Sequence, residues 1–344
     1  MELKFVDLDL FDALAERRVR VAEERFIVKS EMLGKIAIAP GVSLHEDLTV
    51  LGTDWIPARG DGIATLQQMT HTPQTFLPKA RNIAQREGRW FTACATQRAI
   101  EEPVVLAGGN INYYHWWIDN VPRLLMARKY GQLEGRKVLV NHDLTSFAAG
   151  TLRRLGIGEE RLVRVSADEA LLCGDVCVPA MLASATAVHP AVPPLVRDAL
   201  GVRGHAGGKR RIYLSRQDAG SRRLVNEEAF TEVLARWGFE RMLPSRMSVD
   251  EQIECCSEAE AIVAVHGAAL ANMLFAPAGA AVIEIFTPAY PASFYVLLAH
   301  ACGVRHVFSP APLVEAQAGV SPLYHPLWEA DLEALERTLR ETLG

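Results

Sequence analysis

The stretch EAIVAVHGAALANMLFAPAGAAVIEIF, residues 260–286, decides the fold class. Its part from 269 to 286 is apolar enough to resemble a membrane span, but Asn272, Pro277, Gly279 and Glu284 interrupt it. One unbroken apolar helix of about 20 residues is therefore excluded. The stretch reads instead as a buried strand (EAIVAVH), a short helix, a turn and a second buried strand (AAVIEIF). Val/Ile-rich runs without alternation belong to strands covered on both faces, as in a parallel sheet.

The same pattern continues on both sides. Upstream lie a strand RIYLS (211–215), a helix NEEAFTEVLARWG (226–238) with Asn226 as N-cap and Gly238 as stop, and a strand FERML (239–243). Ser248 and Glu251 then stand at capping-box spacing and open a helix, SVDEQIECCSEA (248–259). Downstream come a helix ASFYVLLAHACG (292–303) and a strand VRHVFS (304–309). Five strands alternating with helices predict an α/β, doubly wound parallel sheet. Leu332, Leu335 and Leu339 form one stripe among charges, an amphipathic closing helix.

Residues 201–209, GVRGHAGGK, make the best linker. Before it, NYYHWWIDNVPRLLMARKYG (112–131) has helical spacing, with Gly131 as stop and Pro122 forcing a kink or restart. Strands KVLVN (137–141), RLVRV (161–165) and ALLCGDVCV (170–178) and a helix SFAAGTLRRLG (146–156) complete an alternating half. Residues 1 to about 100 show only short strand-like runs (RFIVKS, KIAIA, LTVLG) broken by Gly and Pro. The expected division is an N-terminal α/β lobe at 1–200, a C-terminal lobe at 210–320 and a helix at 321–344 packing back toward the first lobe.

The chain has 344 residues, 49% hydrophobic and 22% charged, an ordinary globular composition. Lys plus Arg number 36 against 41 acids, a net charge of −5, which argues against a general nucleic-acid binder. Cys94, Cys173, Cys177, Cys255, Cys256 and Cys302 form no C-x-x-C pair and read as reduced, packed thiols. The N-terminus, MELKFVDLDLFDALAERR, lacks the basic-then-apolar order of a signal peptide. A soluble, cytoplasmic protein is expected.

Ligands of open parallel sheets bind beyond the carboxyl ends of the strands. Three such ends in the second half carry Arg216, Arg222 and Arg223; His266, Gly267 and a helix N-terminus; and Glu284. Guanidinium forks bind phosphate bidentately, and a helix N-terminus supplies free N–H groups. Glycine lets backbone approach the phosphate, and a carboxylate can accept from ribose hydroxyls. Together they point to a nucleotide diphosphate. No G-x-G-x-x-G or G-x-x-x-x-G-K-[ST] follows a strand, which disfavours a dinucleotide oxidoreductase and a P-loop enzyme. Asp7 and Asp9 form a D-x-D, but they precede any nucleotide-binding half, so no metal site is expected there. In the first half His115 and Asp119 share a helix face at i, i+4, beside Trp116, Trp117 and Arg123. A carboxylate raises an imidazole's basicity and fixes its tautomer, as a general base requires. Equally, the pair could satisfy an interface, with both Trp residues as core.

These residues resemble glycosyltransferase family 61. Its members carry a segment like Asn112–Leu124, then S-R with a downstream R-x-x-x-N-E, here Ser215, Arg216 and Arg223 with Asn226 and Glu227 one residue early. The third part is H-G-A-x-L-x-N with a later glutamate, here His266, Gly267, Ala268, Asn272 and Glu284. The resemblance implies two Rossmann-like lobes of the B-type glycosyltransferase architecture, with acceptor held by the first and donor by the second. It implies an inverting, metal-independent enzyme moving a hexosyl or pentosyl group from a UDP-sugar to a glycan or glycolipid hydroxyl. No cofactor beyond the nucleotide-sugar is expected. A bacterial member acting on capsular or other surface polysaccharide, with peripheral contact at the inner membrane face, fits the sequence. His115 and Asp119 are then the catalytic pair. Arg216, Arg223, Asn226, Glu227, His266, Gly267, Ala268, Asn272 and Glu284 bind donor. The alternative is a nucleotide-sugar-binding protein that has lost turnover.

Overall fold

The computed structural model describes residues 5–7, 26–30, 34–38, 42–51, 56–59 and 62–65, and the chain from 96 onward apart from 185–186, 203–207, 288–293 and 315–326. It divides into two compact units, Met1–Val196 and Arg197–Gly344. The core of the expected linker, 203–207, lies outside the described residues, as do Cys94 and Asp9.

The second unit is built on β1 (Arg210–Leu214), β2 (Phe239–Met242), β3 (Ala259–Val265), β4 (Ala281–Phe286) and β5 (Arg305–Pro310), all parallel, in the order β2-β1-β3-β4-β5. This is the flavodoxin-like variant of the doubly wound fold, whose strand order reverses between β1 and β3. The crossover helices are α1 (Glu227–Arg236), α2 (Val249–Ser257) and α3 (Phe294–Cys302). Each was legible in the sequence. The α2 capping box forms as expected, Ser248 accepting from the Glu251 N–H and the Glu251 carboxylate from the Ser248 N–H. Between β3 and β4 the chain makes tight 3₁₀ turns over Ala268–Phe275, all of β4 being buried.

The closing helix, α4 (Leu332–Leu343), is capped by Asp331. Its Leu335 and Leu339 are buried in the second unit's own core with Phe230, Ile283 and Trp328. The helix is thus part of the second unit's core. Each of those leucines contributes about 1.5–3 kcal/mol by burial, so α4 belongs to the fold of this unit.

The first unit holds a nine-stranded sheet in the order 5–7, 62–65, 56–59, 42–51, 169–179, 104–106, 137–141, 162–165, with 96–100 also paired to 169–179. Strands 104–106, 137–141 and 162–165 are mutually parallel and joined by helices, a βαβαβ half. The rest is different: 42–51 pairs antiparallel with 169–179 and with 56–59, which pairs antiparallel with 62–65. Only this half of the first sheet repeats the parallel pattern of the second unit. Leu48, Leu106, Leu139, Leu171 and Val176 meet in its core. Cys173, Cys177, Cys255, Cys256 and Cys302 are buried free thiols.

Candidate functional site

The aromatic segment follows the carboxyl end of strand 104–106, where a parallel sheet presents its ligand site. Asn112 starts it as an N-cap, its side chain accepting from the Tyr114 N–H at 2.9 Å. One α-turn, Tyr113–His115, leads into a π-helical turn, Trp116–Asn120, and then an α-helix, Val121–Lys129. Pro122 explains the change, since it has no N–H to bond the Ile118 carbonyl and sits where the regular helix restarts. The Val121 N–H donates to Trp116 O, a bond one residue wider than the α pattern. Trp116 and Trp117 are buried and pack with Tyr113 and Phe147 as core.

Across that turn Nδ1 of His115 lies 2.6 Å from Oδ2 of Asp119, an imidazole–carboxylate pair with side-chain exposures of 27% and 4%. The carboxylate is thus the inner member and the imidazole the outer one. One turn further on, buried Arg123 donates through Nη1 to the Gly108 carbonyl at 2.8 Å. Burial pulls its pKa down to about 10, and the negative charge of Asp119 works against that fall. The loop it touches is held by polar side chains alone. Asn141 accepts from the Gly109 N–H and donates to its carbonyl, and Asn120 donates to the Asn110 carbonyl at 3.1 Å. Gly109 has φ +142°, a backbone region other residues rarely adopt.

In the second unit, Ser215 and Arg216 follow β1 while His266 and Gly267 follow β3, at the two sides of the switch point. The Arg216 guanidinium lies directly on the Gly267 backbone. A Cβ at Gly267 would fall 2.0 Å from Arg216 Nη1, so glycine is what makes room. Arg216 donates to the Ser221 carbonyl at 3.3 Å, its buried Nε has no partner, and it forms no ion pair among the described residues. Burial and then the repulsion of Arg222 lower its pKa to about 10. Arg222 itself adopts φ +58°, a strained conformation costing on the order of 1–3 kcal/mol for a non-glycine residue. Buried cationic charge without a carboxylate suits an anion. Arg223, also expected at the donor, is exposed on a two-residue strand.

Of the remaining expected donor residues, Glu227, Asn226, Asn272 and Glu284 are engaged within the protein. Glu227 accepts from Ser215 Oγ and pairs with Arg241 at 3.0 Å, which fixes the turn carrying Arg216. Asn226 stands at the N-cap position of α1 but does not cap it; its amide donates to Ala330 O and accepts from Ala330 N. Buried Asn272 donates to Gln252, which donates in turn to the Pro244 and Met247 carbonyls. Ala268 opens the 3₁₀ turns, whose first N–H groups lack intrahelical acceptors. Glu284, expected at a ribose, is 2% exposed and divided between two imidazoles: Oε1 is bound to His266 Nδ1 and Oε2 lies 2.8 Å from His306 Nε2. Burial alone would raise its pKa, but the hydrogen bonds and charges of the two histidines outweigh it and hold the carboxyl below the usual range. His306 was not anticipated.

Among the described residues no group of three His, Cys, Asp or Glu side chains is arranged to hold a metal ion, and no helix is long and apolar enough to cross a membrane. Asp7 ends a strand, but its side chain and the whole of Asp9 lie outside the described residues. Residues 113–283 match the family model for glycosyltransferase 61, from the first residue of the aromatic helix to the residue before Glu284. No curated protein matches the chain.

Proposed function

From the premise that the chain belongs to glycosyltransferase family 61, and so is a glycosyltransferase, we propose that it transfers a hexosyl or pentosyl group from a UDP-sugar to a glycan or glycolipid hydroxyl with inversion. The observation that carries the donor assignment is Arg216: a part-buried arginine whose buried Nε has no partner, seated on Gly267 at the switch point of a parallel sheet. Its fork and the neighbouring Arg222 are suited to a diphosphate, the position a nucleotide takes in this strand order. The division into two α/β units supports a B-type glycosyltransferase architecture with acceptor and donor on separate lobes.

The reaction is a single displacement. The acceptor O–H gives its proton to the His115–Asp119 pair, and its oxygen attacks the anomeric carbon. The bond from that carbon to the diphosphate oxygen breaks, and the electron pair leaves with UDP. Asp119, the buried member, keeps His115 oriented through Nδ1, the relation a general base requires. Arg216 and Arg222 stabilise the growing charge on the leaving diphosphate, the electrostatic role a divalent cation plays elsewhere, so turnover is proposed to need no metal. The presence of both His115 and Asp119 favours an enzyme over a binding protein that has lost turnover. Surface-polysaccharide synthesis in the cytoplasm, at the inner face of the membrane, is the setting that the sequence favours.

Calorimetric titration of UDP into wild type and Arg216→Ala, together with release of UDP from UDP-sugars in the presence of excess EDTA, tests the reading. Binding that requires Arg216, and turnover that survives chelation, are expected. Equal UDP affinity in both proteins would remove Arg216 from the donor site. Activity lost to EDTA and restored by manganese would overturn metal independence.

A further inference from the structure

One group near the switch point has no part in the scheme above. Glu284 lies in the middle of β4 with neighbours buried on both sides, so its charge must be neutralised by hydrogen bonds. Two imidazoles do so. His266, the residue after β3, gives Nδ1 to Oε1, and His306 on β5 gives Nε2 to Oε2, with side-chain exposures of 6% and 7%. With an imidazole nitrogen on each of its two oxygens, the buried group is arranged as a carboxylate that accepts an N–H from each ring. That assignment settles the tautomer of His266. With Nδ1–H committed to Glu284, Nε2 is the ring atom left for a ligand, and among the described residues nothing takes it. The ring is also clamped edgewise, its centroid 4.6 Å from that of Phe286 and 5.2 Å from that of Tyr295. The next residue in the chain is the glycine on which Arg216 rests.

We propose that His306 is a positioning residue for the donor site: it takes the second oxygen of Glu284, pins the carboxylate, and so fixes the His266 ring with Nε2 directed to the donor diphosphate. Without His306, Oε2 is a buried acceptor with no donor. The carboxylate must then rotate, take up a proton or draw in water, and each of these changes what it asks of His266 Nδ1. The inference rests on the donor reading above for the ligand but not for the coupling of the two histidines, which is a property of the free protein. Neither Glu284 nor His306 lies within the matched family segment, which ends at residue 283.

The experiment pairs a ligand-free measurement with a ligand-bound one. Histidine-selective ¹⁵N NMR of the full chain reads the His266 tautomer, its signals identified by their loss in His266→Asn; calorimetry reads UDP. Wild type should show a fixed Nδ1–H tautomer. In His306→Phe the His266 signals should move toward a tautomer mixture, and UDP affinity should fall about tenfold, the scale of a misaligned hydrogen bond to a charged group. His306→Gln, whose amide can donate to Oε2, should restore both. Unmoved His266 signals in a folded His306→Phe overturn the proposal. So does a His306→Gln protein with the wild-type melting temperature but a changed tautomer, a result that remains decisive if the Phe variant does not fold. A wild type that shows the fixed tautomer but binds no UDP overturns the donor reading and leaves the coupling standing.

Discussion

The aromatic helix of the first unit and the switch-point cluster of the second are both built around an imidazole held by a carboxylate, but they differ in what surrounds it. Asp119 holds the His115 imidazole, and that ring keeps 27% of its surface open. Glu284 is divided between two rings that are nearly closed off, at 6% and 7%. A half-open imidazole backed by a buried carboxylate can exchange a proton with a bound hydroxyl. A closed one between a carboxylate and aromatic rings is suited to holding a fixed donor or acceptor toward an anion. On the proposed reading, a carboxylate–imidazole pair serves proton transfer in one place and orientation in the other, and burial of the imidazole makes the difference.

The largest test of that contrast is Asp119→Asn. The amide keeps the size of the side chain but cannot stabilise an imidazolium, so turnover should fall by roughly a hundred- to ten-thousand-fold, the range general-base catalysis supplies. UDP affinity should stay within about twofold, since a site that binds the diphosphate through Arg216 loses no bonded partner. Initial rates and calorimetry on one preparation decide it. Wild-type turnover would reduce the pair to a structural contact. A joint fall of turnover, UDP binding and melting temperature would do the same.

Arg216→Ala should come next. It should weaken UDP binding by roughly 1.5–3 kcal/mol, the range for hydrogen bonds to charged groups. Arg216→Lys should recover only part, because a point charge cannot reproduce a fork. Gly267→Ala tests the same contact from the other side and sharpens it. The new methyl would meet the far end of the Arg216 side chain rather than backbone, so the guanidinium can swing away without unfolding the unit. UDP affinity should fall about tenfold, the weakening expected from a displaced charged hydrogen bond, while the melting temperature stays close to wild type. An unchanged affinity would mean that Arg216 does not need that seat.

The two regions were unequally legible in the sequence, for physical reasons. The strands and helices of the second unit showed through because strands covered on both faces need continuous apolar runs such as AIVAV and AVIEI. The helix start at Ser248 and Glu251 carries its own signal. The first unit mixes parallel and antiparallel pairs, and its antiparallel part leaves weak, short patterns. At the sites, neighbours along the helix such as His115 and Asp119 could be paired by spacing, and Pro122 announced a break but not its π-helical form. His306 could not have been found. It reaches Glu284 diagonally across a ladder in which its direct partner is Val282, and register between distant strands leaves no trace in spacing. The sequence named Arg222 beside Arg223, but the positive φ of Arg222 leaves no trace in residue type.

The smallest expected effect concerns Asn226, and it separates a residue that shapes the second unit from one that touches a ligand. Motif position placed Asn226 among the donor contacts, whereas its amide forms a two-bond bridge with the backbone of Ala330, donating at 2.8 Å and accepting at 3.0 Å. That bridge ties the start of α1 to the segment leading into α4, just before the Asp331 cap. Asn226→Ala removes both bonds and leaves a carbonyl and an N–H of part-buried backbone to find water. At about 0.5–1.5 kcal/mol for each hydrogen bond, the loss should be about 1–3 kcal/mol of stability. It should appear as a lower urea midpoint with an unchanged slope. UDP affinity of the folded fraction should not move. If it falls while the urea midpoint stays at the wild-type value, Asn226 belongs to the ligand after all, and the contrast between structural and donor-binding residues in this unit must be redrawn from Arg216 outward.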